Sequence, residues 1–215
     1  MQIPLPAIAA LALPSLLAAC ASVPDAPASP QEAYWNALSS HCGKAYAGSL
    51  ATQDARDADW AGKPMIAHWA DCSDERIAIV FHVADEDAHG GWNRSRTWIL
   101  TRTGSGANTR FTLKHDHRHA DGAADAVTFY GGATDEAGSA SAQDFPVDAE
   151  SIALFTREGL DVSLTNVWRV EVDPASASDA AFAYQLTRAN DPTRLFRVEF
   201  DASDPVSPPP PAWGW

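Results

Sequence analysis

The sequence predicts an all-β protein: an antiparallel up-and-down β-barrel of eight to ten strands, with a short N-terminal helix. Three observations carry that reading. Segments in which apolar and polar residues alternate recur at roughly ten-residue spacing, the period of a half-buried strand. The connections between them are short and rich in turn residues, such as GSGAN at 104–108 and Asp121-Gly122. No long helical pattern separates them, so successive strands are expected to pair as a meander rather than cross over.

The chain divides by composition. Residues 1–20 read as a targeting segment, apolar and uncharged from Ile3 to Leu17 but broken by Pro4, Pro6 and Pro14, too short and interrupted for a membrane span. Its end, Leu17-Ala18-Ala19-Cys20, resembles the bacterial lipobox, which implies a lipidated Cys20 as the mature N-terminus. MQIP departs from that pattern in lacking a basic residue. The Ala21 that follows, rather than Asp, implies sorting to the outer membrane, facing the periplasm. The partner implied is therefore the membrane, through a lipid anchor. Residues 21–30 (ASVPDAPASP) form a flexible tether with nothing to bury, 31–206 the barrel domain, and 207–215 (SPPPPAWGW) a Pro-rich tail in extended polyproline form.

Charge and cysteines narrow the partners. A net charge of −13 repels nucleic acid and anionic lipid surfaces, so neither is an expected partner. With Cys20 lipidated, Cys42 and Cys72 remain, and two thiols in an oxidising compartment most simply pair.

The elements follow in order. Ser29-Pro30-Gln31-Glu32 is a capping box that starts a short helix, whose Tyr34, Trp35 and Leu38 share a face and which ends before His41. Residues 42–48 (CGKAYAG) open the strands, followed by 64–71, 76–83, 97–103 and 110–119. A further strand is expected at 126–130, ended by Gly131-Gly132. Residues 150–156 fit a helical turn or a strand equally. Residues 162–172 read as one long strand, and 182–186 with 196–201 as a closing hairpin. Its outward Arg197, Glu199 and Asp201 are unsuited to a lipid-facing barrel wall.

The stretch RFTLKHDHRH at 110–119 gathers the chemistry. As a strand it places Phe111, Leu113, His115, His117 and His119 on one face, and Asp116 and Arg118 on the other, outward in water. The inner face starts apolar and turns to imidazole, as a wall that starts in a core and ends in a cavity would. Neighbouring histidines on that face stand about 6.8 Å apart at the backbone, within reach of one divalent ion such as zinc. The metal reading would join His115 and His117 with His68 from another strand; His82 lies on the wrong face for this. A ladder of histidines satisfied by carboxylates and water is the reading these residues favour. Arg94 and Arg96 precede Trp98 on one face and would guard a barrel mouth, where they suit an anionic ligand, or else pair with Asp85, Glu86 and Asp87. Asn166, Tyr184 and Arg188 share faces with core residues, so the interior is more polar than packing requires.

CGKAYAG, the CSD at 72–74, RSRTW at 94–98, KHDHRH at 114–119, Tyr130-Gly131-Gly132 and RLFRVEFD at 194–201 together resemble a family of uncharacterised bacterial secreted or lipid-anchored proteins. The strand pattern and small–aromatic opening are similar to the calycin class of lipocalin-like barrels. The resemblance implies a fold and a location but no activity, cofactor or catalytic residue. No HExxH, GxSxG, phosphate loop or dinucleotide fingerprint is present. Three functions remain open: a barrel binding a small molecule or metal among His115, His117 and His119; an enzyme using one of these as a general base; or a structural envelope protein with no ligand.

Overall fold

The computed structural model describes residues 1–2 and 28–215, so nearly all of the expected targeting segment, Cys20 and most of the expected tether lie outside the described residues. Ser29 caps helix α1 (Pro30–Ser39) through the full capping box with Glu32. Five strands follow: β1 (Ala45–Leu50), β2 (Met65–Cys72), β3 (Arg76–Ala84), β4 (Trp92–Thr103) and β5 (Arg110–His117). Then come β6 (Tyr130–Ala133), β7 (Ala142–Pro146), helix α2 (Ala149–Arg157), β8 (Asn166–Val172), β9 (Ala181–Arg188) and β10 (Asp191–Val206).

All ten strands form one antiparallel sheet in the order β6-β5-β4-β3-β2-β1-β10-β9-β8-β7. Strands adjacent in the chain pair except β6 and β7, and β1 pairs with β10, so among the described residues the sheet's seam falls mid-chain between β6 and β7. A Gly132–Val147 bridge and the Asp148 N–H to Gly131 carbonyl bond (3.1 Å) nearly close it. The glycine pair permits this approach. A Cβ at Gly131 would stand 1.7 Å from the Leu113 carbonyl oxygen, and one at Gly132 2.1 Å from that of Pro146. Gly131-Gly132 therefore lies inside a strand instead of ending one, and the strand expected at 126–130 begins only at Tyr130.

Alternation fills the barrel. Met65, Ala67 and Trp69 of β2 face Ile77, Ile79 and Phe81 of β3, and all are buried. Burying each large apolar side chain is worth roughly 1.5–3 kcal/mol, which is why register is strongly specified here. One end is plugged by α1, where Tyr34 and Trp35 pack on Phe111 with ring centroids 5.3 and 5.7 Å away. The Cys42–Cys72 disulfide forms, tying the chain after α1 to the end of β2. The opposite end is covered by a 3₁₀ turn, Ala55–Trp60, whose Trp60 stacks on Phe81 at 5.8 Å.

Outside, Arg197, Glu199 and Asp201 point away from the core as expected. Arg169 and Arg197 form a charged ladder with Asp144, Glu171 and Glu199, at 2.6–3.0 Å. Residues 150–156, which fit a helical turn or a strand, belong to α2, because Asp148 caps the backbone of Ser151 and fixes a helix start. Two other expectations need correction. The long strand at 162–172 begins only at Asn166, since a 3₁₀ turn at Asp161–Ser163 consumes its first residues. β7 was not expected at all: five residues without clear alternation are too short to register as a strand.

The Pro-rich tail docks on the outer wall. The Trp213 N–H donates to the Arg94 carbonyl (3.1 Å), Arg94 Nη1 donates to the Pro211 carbonyl (2.6 Å), and Ala212 is buried. The outward residues Ala78, Val80, His82, Thr97 and Asp116 on the strands of this wall are buried as well.

Candidate functional site

Strand β5 delivers His115 and His117 to the inner face at the end partly covered by the 3₁₀ turn Ala55–Trp60, opposite Trp98 and Arg96 of β4. β9 brings Tyr184, and β6 brings Tyr130. Phe129, in the left-handed region at φ 54°, turns the chain so that Tyr130 stacks on His115 at 4.7 Å. These side chains, with Asp57 and Trp60 from the 3₁₀ turn and Arg194 and Phe196 from β10, enclose a cavity of about 160 Å³. Trp60, Arg96, His117 and Tyr130 are half-buried, so the cavity opens at the barrel mouth.

His115 is fully committed. Its Nδ1 lies 3.0 Å from the Tyr130 carbonyl oxygen, which can only accept, so the ring proton sits on Nδ1. Nε2 then accepts from the Tyr184 hydroxyl at 2.8 Å. Burial, reinforced by neighbouring His117, lowers its pKa to about 3, so the ring is neutral at pH 7. A neutral ring with both nitrogens bonded has no lone pair left for a metal. His117 Nε2 meets the Tyr130 hydroxyl at 3.1 Å, leaving Nδ1 outside this contact. Burial and the nearby Arg96 charge lower its pKa to about 4. Burial pushes the Tyr130 phenol up to about 12, and Tyr184 well above its ordinary value, so both remain hydroxyl donors.

Arg96 is the charge in this cavity. Its guanidinium lies over the Trp60 ring at 4.8 Å, and Nη1 donates to Ser95 Oγ at 3.0 Å. Among the described residues no carboxylate lies within ion-pair distance of it. Nearby Arg194 differs: it forks onto Asp57 at 2.6 and 2.7 Å, a buried pair that ties the 3₁₀ turn to β10. Arg56 likewise spans Asp54 and Asp191.

No family model, curated protein or solved structure matches the chain. The site stands on its own geometry.

Several sequence-predicted residues fall elsewhere. The ladder ends at His117, and His119 is exposed, 3.6 Å from Asp125, so it lines no cavity. His68 lies on the outer wall, because its neighbours Ala67 and Trp69 face the core. It stacks with His82 at 6.2 Å, not with His115 or His117. The metal reading of His115, His117 and His68 is thereby corrected: among the described residues no three His, Cys, Asp or Glu side chains converge to hold an ion. Arg94 parts from Arg96, because a bulge between Phe81 and Val83 breaks the alternation of β4 against β3. Arg94 turns outward to the tail while Arg96 stays inside, and neither pairs with Asp85, Glu86 or Asp87. Asp116 does point out of the barrel, yet it lies buried under the tail rather than in water. Arg188 Nε donates to Asn166 Oδ1 at 3.1 Å, so these two satisfy each other outside the cavity lining.

Trp60, Asp57 and Arg194 were missed in the sequence. DARDADW at 54–60 has no period, and the Asp57–Arg194 contact spans 137 positions. Tyr130 was expected only as the last residue of a strand before the Gly131-Gly132 break.

Proposed function

We propose that this is a lipid-anchored protein of the bacterial envelope, facing the periplasm from the outer membrane, whose barrel holds a small molecule in the cavity beside the 3₁₀ turn. The lipobox carries the location. The cavity between Arg96, His117, Tyr130 and Trp60 carries the binding role: polar groups with unused hydrogen-bonding capacity line an aromatic-walled space. At about 160 Å³ it is smaller than the roughly 300 Å³ from which typical ligand pockets start, so its occupant is small or only partly enclosed.

The enzyme reading has less support. A general base works best with a pKa near the working pH. His115 has both nitrogens engaged, and His117 is held near 4.

Native mass spectrometry of the protein extracted from its own envelope, with metal analysis alongside, tests the reading. The expected result is a non-covalent small-molecule adduct that is absent from the His117→Ala variant. Bare protein in every preparation, with no adduct on either form, counts against it.

A further inference from the structure

The mouth of the barrel carries a cation that the protein itself does not neutralise. In a chain of net charge −13, arginines near this end would be expected to find carboxylates; Arg194 and Arg56 do, while Arg188 lies outside the cavity lining and bonds Asn166. Arg194 holds Asp57, and Arg56 holds Asp54 and Asp191. Arg96, the most enclosed in aromatic side chains, has only the Ser95 hydroxyl and the Trp60 face. A guanidinium removed from water without an anion is costly, and it forks naturally onto one carboxylate. Around it, Trp98 stacks on Tyr184 at 4.4 Å and on Phe81 at 4.7 Å, a flat apolar wall.

The geometry points to a small monocarboxylic acid with a flat or short apolar body as the ligand, its carboxylate on Arg96 and its body against Trp60 and Trp98. This inference rests on the small-molecule reading above and names the chemical class. Of the two arginines that line the cavity, only Arg96 has no carboxylate partner among the described residues, and one such guanidinium matches one negative charge. A phosphate or dicarboxylate would need a second free cation, and Arg194 is already occupied by Asp57. The Tyr130 hydroxyl and His117, both uncharged at pH 7, add hydrogen bonds without adding charge. The cavity volume limits the body to about one aromatic ring or a short chain.

The test is calorimetric titration of the mature protein with matched pairs: benzoate against benzamide, and butyrate against butyramide. Tryptophan fluorescence gives an independent readout, because Trp60 and Trp98 form the wall. The acids should bind at least tenfold more tightly than their amides. Arg96→Gln should lose that preference while keeping its circular dichroism spectrum, and Arg96→Lys should keep part of it. Equal binding of acids and amides, or an unchanged preference in Arg96→Gln, overturns the carboxylate inference but leaves a neutral-ligand pocket standing. No saturable binding by any of the four compounds overturns the pocket reading as well.

Discussion

The Trp215 indole Nε1 donates to Asp116 Oδ2 at 3.0 Å, joining the tail to strand β5 across 99 positions. Asp116 also accepts from Arg118 Nε at 2.9 and 3.1 Å and from Thr128 Oγ1 at 3.2 Å, so its buried carboxylate is surrounded by donors. Arg76 lies over the Trp215 ring at 5.1 Å, and Gly214 presses on Gly122, where a Cβ at Gly214 would stand 2.9 Å from the Gly122 carbonyl oxygen. The tail is thus part of the barrel wall, the covering for a polar patch on β3, β4 and β5.

Trp215→Ala should therefore destabilise the domain by about 1–2 kcal/mol, the worth of one hydrogen bond to a charged acceptor plus partial ring burial. Asp116→Ala should cost more, because it strands Arg118, Thr128 and Trp215 together. Urea unfolding at pH 7 reads both. A midpoint unmoved by Trp215→Ala would mean that the tail rests on the wall without supporting it.

Acid should destabilise the protein below about pH 6.5. His82 is fully buried on the outer wall, with neither ring nitrogen bonded among the described residues, and burial lowers its pKa to about 3. His115 is lowered to about 3 in the same way. The unfolded chain binds these protons near pH 6.5 and the folded chain does not, so stability is full above that pH and falls as pH drops toward 3. Each contributes a loss on the order of 2–3 kcal/mol by pH 4. His82→Leu should flatten the fall in unfolding free energy between pH 7 and pH 4. An identical slope in that variant would remove His82 from the account.

His115 and His117 should separate under mutation. His115→Ala removes a fully packed ring, the acceptor of the Tyr184 hydroxyl proton and the side-chain donor to the Tyr130 carbonyl, at a cost of about 2–4 kcal/mol. His117→Ala opens a half-buried wall and should cost less than about 1 kcal/mol. Thermal and urea unfolding of the two variants, compared at pH 7, checks the order. Equal losses would place His117 in the packed core instead of at a mouth.

Cys20→Ser should shift the protein from the membrane fraction to the soluble fraction of its own cells. Fractionation followed by immunoblotting reads this. Membrane retention by the variant would contradict the lipobox reading and, with it, the envelope location.

The sequence by itself determined the strands and their faces wherever alternation was long. Period two in β2, β3, β5, β9 and β10 is a local property, and burying one face of each leaves a meandering sheet with few alternatives. The capping box of α1 and the Cys42–Cys72 pair were equally local or arithmetical. The barrel interior at His115 was legible because the apolar face of Phe111 and Leu113 runs directly into it. Only the tertiary structure decided the rest, because the rest depends on contacts between distant segments. A bulge in β3–β4 pairing sent Arg94 outside and Arg96 inside, which no alternation count within β4 reveals. Trp60 and the Asp57–Arg194 pair complete the mouth from opposite parts of the chain. Gly131 and Gly132, which read as a break, are strand residues because two backbones meet there. The tail reads as an extended polyproline segment, yet it covers Asp116 because the folded barrel presents a wall that fits it.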